Sequence, residues 1–353
     1  MPGIGCSSGR ARFLIPVRFA SYPGLAVLNA QGHDPDQSFA EQLPSHDSPT
    51  HPPINYHAYA ACTRGAFYRK PELASRHRNV LLLLRGDLRA ARKAFVTLKA
   101  KGCVVAIAFK EAGTHQVAQQ LSHPKTFSHF GELASNADLC LSSTPDLIPL
   151  FSCFCRRVVY LPTPYPIDFP DWNLAIPIPE RSGIFVGTRE FSVPSRNHLL
   201  ALNAARLISY PVTVIDEGTP ATKSLLQALR YPPQQLTILP RMPYPRYLEV
   251  IRRHRIVLQF DQSRVPGQVA GDALLCRVPT VGGNGAIERE ILNELNGDGR
   301  SFSELVQLAL RLLRDDLLYA RQVERMTTVA EEKVSFSSIR AELIKLFPGI
   351  DAP

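Results

Sequence analysis

The chain has 353 residues, 45% hydrophobic and 20% charged, which is too long for one typical domain and rich enough in apolar side chains to build two cores. No run approaches the roughly 18–20 apolar residues that span a bilayer, and Phe13–Val17 is too short for the core of a secretory leader, so a cytoplasmic protein is expected. The net charge of +9 is concentrated in residues 1–165, which carry 18 Lys and Arg against 10 Asp and Glu. That basic half suits an anionic partner: a phosphate, an anionic glycan, or peripheral contact with the inner face of a membrane. No nucleic-acid motif or interleaved aromatic platform is present, so nucleic acid is not expected.

In chain order, Arg12–Val17 reads as a strand, with a turn at Tyr22-Pro23-Gly24. Residues 31–60 are rich in His, Pro, Asp and Ser without a steady period and read as a long loop. Its histidines, His33, His46, His51 and His57, are too irregularly spaced to suggest a metal. Val80–Leu84 is a continuous apolar run that suits a strand covered on both faces. Leu88 to Lys101 follows as a helix with apolar positions at 88, 91, 95 and 98, stopped by Gly102. Cys103–Phe109 is a strand, 115–122 and 126–136 are helical, Ala137–Leu141 is a strand, Thr144–Phe151 a helix and Arg157–Leu161 a strand. The seven cysteines include no CxxC pair, and Cys153 and Cys155 read as buried reduced thiols.

Residues 162–182 contain Pro162, Pro164, Pro166, Pro170, Pro177 and Pro179, which neither a helix nor a central strand tolerates. This stretch reads as a linker. The alternation then restarts, with strands at Gly183–Gly187, Val212–Ile215, Leu236–Leu239, Arg255–Phe260 and Pro279–Val281. Helices lie between them at His198–Ser209, Lys223–Arg230, Tyr244–His254 and Gly267–Cys276, followed by Ala286–Leu295 and by helices near 302–315 and 317–334. The order predicts an α/β protein of two Rossmann-like domains with parallel sheets and a cleft between them. The expected boundaries are 1–165, 166–335, and a last segment, 336–353, that crosses back to the first domain.

Ligands of open parallel sheets lie beyond the carboxyl ends of the strands. The most informative stretch there runs from Val257 to Glu288. A strand enters Pro266-Gly267, where a helix begins, and a short strand then delivers Gly282-Gly283 to a second helix start. Helix N-termini are anion sites, and Gly267, Gly282 and Gly283 would let a phosphate approach the backbone.

Asp272-Ala273, Val278-Pro279-Thr280-Val281, Gly282-Gly283 and Glu288 together resemble the donor domain of retaining family 4 glycosyltransferases of the GT-B type. That resemblance implies transfer of a sugar from a nucleotide-diphosphate sugar, with no metal required, to a glycan, lipid-linked or protein acceptor. It puts Asp272 on the donor ribose and Arg264 where the family has a Glu that contacts the transferred sugar. Asp261, three residues earlier, is the candidate to replace that Glu. Gly183-Ile-Phe-Val-Gly187-Thr-Arg189 resembles the strand that opens the family's donor domain, and Arg196 stands near its phosphate-binding Lys. Arg189 and Arg196 would neutralise the diphosphate, and preorganised cations are usually the largest catalytic term. The resemblance would put Lys110, Glu111 and His115, which follow the strand 103–109, at the cleft, although a solvated helix start is the preferred reading of them, and it puts Tyr22-Pro23-Gly24 where the family has a Gly-bearing loop near the acceptor. The missing Glu leaves a catalytically degenerate binding protein as the alternative, and a nucleotide-sugar epimerase as a third reading.

Overall fold

In the computed structural model, residues 22–187, 193–216, 220–232 and 234–350 are described. The expected strand at 12–17 and Arg189 lie outside them. The first unit comprises strands β1 (Tyr22–Leu28) and β2 (Gln37–Ser38), helix α1 (Asn55–Cys62), β3 (Ala66–Tyr68) and α2 (Pro71–Ala74). It continues with β4 (His77–Leu84), α3 (Arg89–Ala100), β5 (Val104–Phe109), α4 (Thr114–Leu121), α5 (Pro124–Asn136), β6 (Leu139–Ser142), α6 (Ile148–Ser152) and β7 (Val158–Tyr160). The strands form one sheet in the order β2-β3-β1-β4-β5-β6-β7, parallel except for β2 against β3.

The core of this unit has two layers because strand side chains alternate. Leu25, Val27, Leu81 and Leu83 face one side, against Tyr56 and Tyr59 of α1. Ala26, Leu28, Val80, Leu82 and Leu84 face the other, against Phe95 of α3, Phe130 of α5 and Phe151 of α6. Each fully buried leucine contributes about 2 kcal/mol of transfer free energy, which is why an uninterrupted apolar run such as Val80–Leu84 sits at the sheet centre.

Two expectations are corrected here. Tyr22-Pro23-Gly24 is the first part of β1, not a turn. The register of β1 on β4 shifts between Tyr22 and Leu25, and such an irregularity accommodates a proline that cannot donate and a glycine at φ 76°. This triplet is therefore at the amino end of its strand, away from the ligand edge. The segment 31–60 also contains α1. Residues Tyr56 to Cys62 are all buried, so the helix lacks the polar face that makes helical periodicity visible.

The second unit comprises β8 (Ile184–Val186), α7 (His198–Ile208), β9 (Val212–Asp216), α8 (Pro220–Ala228), β10 (Leu236–Pro240), α9 (Tyr244–Arg252), β11 (Ile256–Leu258), α10 (Gln268–Leu275), β12 (Thr280–Val281) and α11 (Ala286–Glu290). Three helices follow: α12 (Phe302–Arg314), α13 (Asp316–Val334) and α14 (Phe336–Leu346). The five strands form a parallel sheet in the order β10-β9-β8-β11-β12. The chain builds outward from β8 to β10, then returns to the other side of β8 for β11. The switch point of this sheet is therefore between β8 and β11.

Two chain passes join the units side by side. Tyr165 bridges Ser335, and its N–H donates to the Val334 carbonyl at 2.7 Å. Asp168 caps α14 by accepting from the amides of Phe336 at 3.2 Å and Ser337 at 3.0 Å. Helix α14 then buries Phe336, Ile339 and Leu343 in the core of the first unit, beside α1. Among the described residues, no helix is long and apolar enough to cross a membrane.

Candidate functional site

The carboxyl ends of β8 and β11 deliver their following residues to the switch point, where crevices form in open sheets. After β11 comes Asp261, 1% exposed, and beyond β8 comes Arg196. Arg196 Nη1 donates to Asp261 Oδ2 at 2.7 Å, so the pair spans the crevice. Asp261 Oδ1 accepts from the Ser263 amide at 2.7 Å and from the Ser263 hydroxyl. Ser263 Oγ in turn contacts Ser195 Oγ at 2.8 Å, and the Gln262 amide donates to the Ser195 carbonyl at 2.9 Å. Asp261 thus faces inward and fixes Arg196. The role expected for it, replacing a sugar-contacting Glu, does not match this placement, because one oxygen is engaged by Ser263 of its own loop and the other by Arg196.

Gly267, at φ 92°, sets the direction of α10. The first turn of any helix directs amides outward without intrahelical acceptors. Gly282 and Gly283 hold φ 83° and 73° as β12 turns toward α11. A Cβ on Gly282 would stand 2.4 Å from the Gln259 carbonyl, and its own N–H donates to the Leu295 carbonyl at 2.7 Å. The Gly282 amide is therefore turned inward, and the phosphate contact expected of it is corrected: the residue is glycine because the loop packs tightly there. Asn284 ties this loop to the switch point, accepting from the Arg264 amide at 2.9 Å and donating to Gln262 Oε1 at 3.0 Å.

Glu288 lies beneath these loops. It is fully buried, and among the described residues neither oxygen has a hydrogen-bond partner apart from its own backbone amide. Its carboxyl fits where Gly267, Gly283 and Gly285 lack side chains: a Cβ at those positions would lie 2.4, 2.9 and 2.4 Å from its oxygens. Burial, reinforced by the charge of Asp261, pushes this carboxyl up to about 7. Glu288 supports the two loops from inside and presents no surface to a ligand.

Asp272 sits on α10, 1% exposed, and accepts from the Tyr244 hydroxyl at 2.6 Å. Tyr244, at the start of α9, was not singled out in the sequence. A tyrosine opening a helix after Pro243 carries no signal of a partner 28 residues away.

The first unit meets this edge with its own strand ends. The Thr114 amide, after β5, donates to the Ser263 carbonyl at 3.1 Å, and Asn55 Nδ2 reaches Gln268 Oε1 at 3.2 Å. After β6 comes Asp146, the anchor of a cross-domain cluster that also escaped the sequence reading. Its Oδ1 accepts from Arg264 Nη1 at 2.7 Å and Arg289 Nη1 at 3.2 Å. Its Oδ2 accepts from Thr144 Oγ1 at 2.7 Å and from Arg289 Nη2. Burial opposes the charge of Asp146, but the bonds from Arg289, Thr144 and Arg264 outweigh it and hold the carboxyl below its ordinary range. Arg264 therefore has a partner from the other domain. Lys110 pairs with Asp34 at 2.8 Å within the first unit and lies over the Tyr56 ring. His57 is stacked on Phe67 and His51, and burial lowers it to about 3. Among the described residues, no cluster of three His, Cys, Asp or Glu fits a metal. Cys155 is a buried free thiol as expected, whereas Cys153 is exposed.

No protein-family model matches the chain, and no curated protein matches it. Solved structures do. Sucrose-phosphate synthase from Thermosynechococcus elongatus superposes with a TM-score of 0.64 at 14% identity, over 94% of this chain and 100% of that one. HepE of Anabaena, in complex with UDP and glucose, gives 0.58 at 14% identity over 78% of this chain and 79% of that one. A mutant O-GlcNAc transferase from Thermobaculum terrenum gives 0.57 at 17% identity, over 92% of this chain and 67% of that one. At these identities the likeness establishes the architecture: two Rossmann-like domains in the GT-B arrangement.

Proposed function

We propose, with the GT-B architecture as the premise, that this protein transfers a sugar from a nucleotide-diphosphate sugar to an acceptor bound in the cleft. The observation that carries this reading is the Arg196–Asp261 pair across the β8–β11 switch point. It holds a guanidinium at the switch-point edge of the sheet, and the start of α10, which follows the same strand β11, is where backbone dipoles also favour an anion. A diphosphate leaving group carries its charge to that place, and fixed cations there stabilise the charge as it develops. Arg189 is the second cation we assign to the diphosphate, and Asp272, set by Tyr244, the acceptor for ribose hydroxyls. HepE is seen with UDP and glucose, and another neighbour is an O-GlcNAc transferase, which favours a uridine nucleotide as the first probe. Retention of configuration and metal-free transfer follow from the family resemblance of the 257–288 stretch. The acceptor side is the strand edge that carries Lys110 and Asp34.

Titration calorimetry with UDP, followed by a hydrolysis or transfer assay with UDP-sugars, tests the proposal. Saturable binding with turnover supports it, and absence of binding to UDP and other nucleoside diphosphates removes it. One observation favours a second reading, a non-catalytic nucleotide-binding protein: Arg264, in place of a sugar-contacting Glu, is engaged by Asp146. Binding without turnover selects that reading.

A further inference from the structure

Asp146 is one carboxylate held by two guanidinium groups and a hydroxyl. The arginines come from the second domain, Arg264 from the loop after β11 and Arg289 from α11. The carboxylate comes from the first domain. Arg289 engages both oxygens of the carboxylate, the forked geometry by which arginine binds carboxylate and phosphate. Asp146 and Arg289 side chains are 8% and 19% exposed, so this pair is shielded from screening, whereas Arg264 at 44% remains open to solvent. With four donors on two oxygens, Asp146 has no acceptor capacity left for a substrate hydroxyl. The arginines are in a different position. They belong to the loop and helix that form the switch-point edge, and the Arg264 amide is anchored there by Asn284. If the domains part, Asp146 leaves with the first domain and the two guanidinium groups stay.

We propose that Arg264 and Arg289 form an anion subsite of the cleft, and that the Asp146 carboxylate is its internal occupant in the empty protein. A carboxylate or phosphate group carried by the substrate displaces Asp146 and takes its place in the arginine fork. The inference rests on the nucleotide-sugar reading for the identity of the cleft ligand, and it adds a substrate class: ligands with an anionic group at this point, either the diphosphate or an acidic sugar such as a uronic acid.

The test uses the full chain and three probes, UDP, UDP-glucose and UDP-glucuronate, with the variants Asp146→Asn, Arg289→Ala and the double variant. Removing the internal competitor raises the binding-competent fraction, so D146N is expected to bind about fivefold tighter. Equal tightening for all three probes assigns the subsite to the diphosphate. Tightening confined to UDP-glucuronate assigns it to a sugar carboxylate. The cycle separates displacement from simple charge removal. When Asp146 competes, Arg289→Ala both loses a ligand contact and frees the site, so its penalty is larger in D146N than in the wild type. Independent charge effects give equal penalties in both backgrounds, and that result overturns the proposal. So does D146N binding no tighter than the wild type while both bind UDP, which leaves the function standing. If neither protein binds any probe, the subsite and the nucleotide-sugar reading fall together. A poorly folding D146N does not end the test, because Asp146→Ser removes the same competitor: UDP and UDP-glucuronate binding no tighter in D146S than in the wild type overturns the proposal.

Discussion

Arg196 reaches over the switch point of the second sheet to Asp261, so a residue of the loop after β11 fixes the cation that follows β8. The carboxylate is buried and the arginine side chain is 23% exposed. Replacing Arg196 with Ala is expected to cost about 1.5–3 kcal/mol of UDP affinity, roughly 10–100-fold in Kd. It also removes one of the donors to buried Asp261, at a stability cost of about 2 kcal/mol, less than for a fully buried pair because Arg196 is partly solvated and Ser263 still donates to the carboxylate. Arg196→Lys keeps the charge but loses the fork and is expected in between. Calorimetry on the three proteins checks the order, and an unchanged Kd in R196A dismisses Arg196 from the diphosphate.

Gly267 is required by two independent constraints. Its φ of 92° is unfavourable for any L side chain, and a Cβ there would stand 2.4 Å from Glu288 Oε2 and 2.9 Å from Ile287 Cβ. Gly267→Ala is expected to destabilise by about 2 kcal/mol or more, lowering Tm by roughly 4–8 °C for a domain of this size. Gly299, also at positive φ but with nothing within 4 Å of its Cβ position, is the control. Its Ala variant carries only the backbone term. Equal melting shifts for the two would show that the Glu288 contact is not limiting.

The parallel sheets were legible because buried parallel strands leave continuous apolar runs, and Val80–Leu84 and Ile256–Leu258 are such runs. Helix α1 was not, since a helix buried on every side has no period to read. The site was legible as a region, because Gly267, Gly282, Gly283 and Arg264 all border one strand edge. The directions of the side chains were not. Whether Asp261 faces a ligand or Arg196 depends on backbone turns within three residues, and Gly282 looks the same in sequence whether its amide points outward or toward Leu295. Asp146, 118 residues from Arg264, carries no local mark of its partner.

The hydroxyl of Tyr244 donates to Asp272 at 2.6 Å in a buried setting. Removing it leaves a buried carboxylate oxygen short of a donor, so Tyr244→Phe is expected to cost about 1–3 kcal/mol of stability. If Asp272 receives ribose hydroxyls, Asp272→Asn weakens UDP binding roughly tenfold and erases any preference for UDP over 2′-deoxy-UDP. Melting curves check the first effect and competition binding the second. A retained preference for the ribonucleotide in D272N would place the ribose elsewhere.

Glu288 makes stability depend on pH in a direction opposite to that of a salt-bridged carboxylate. Its folded value of about 7 lies above the ordinary 4.5, chiefly because burial penalises the charged form. Between those two values the folded protein keeps a proton that the unfolded chain has released, so stability falls as pH rises through this window. Above about 7 the group is ionised in both states and the loss is complete, at about 3 kcal/mol. Glu288→Gln keeps the shape without the titration. Its stability relative to the wild type should rise from pH 4.5 to 7 and level off above, whatever constant offset the buried amide adds. Urea unfolding of both proteins at pH 5 and pH 8 reads this directly. A difference between them that does not change with pH would mean that Glu288 is not held protonated by the glycines around it.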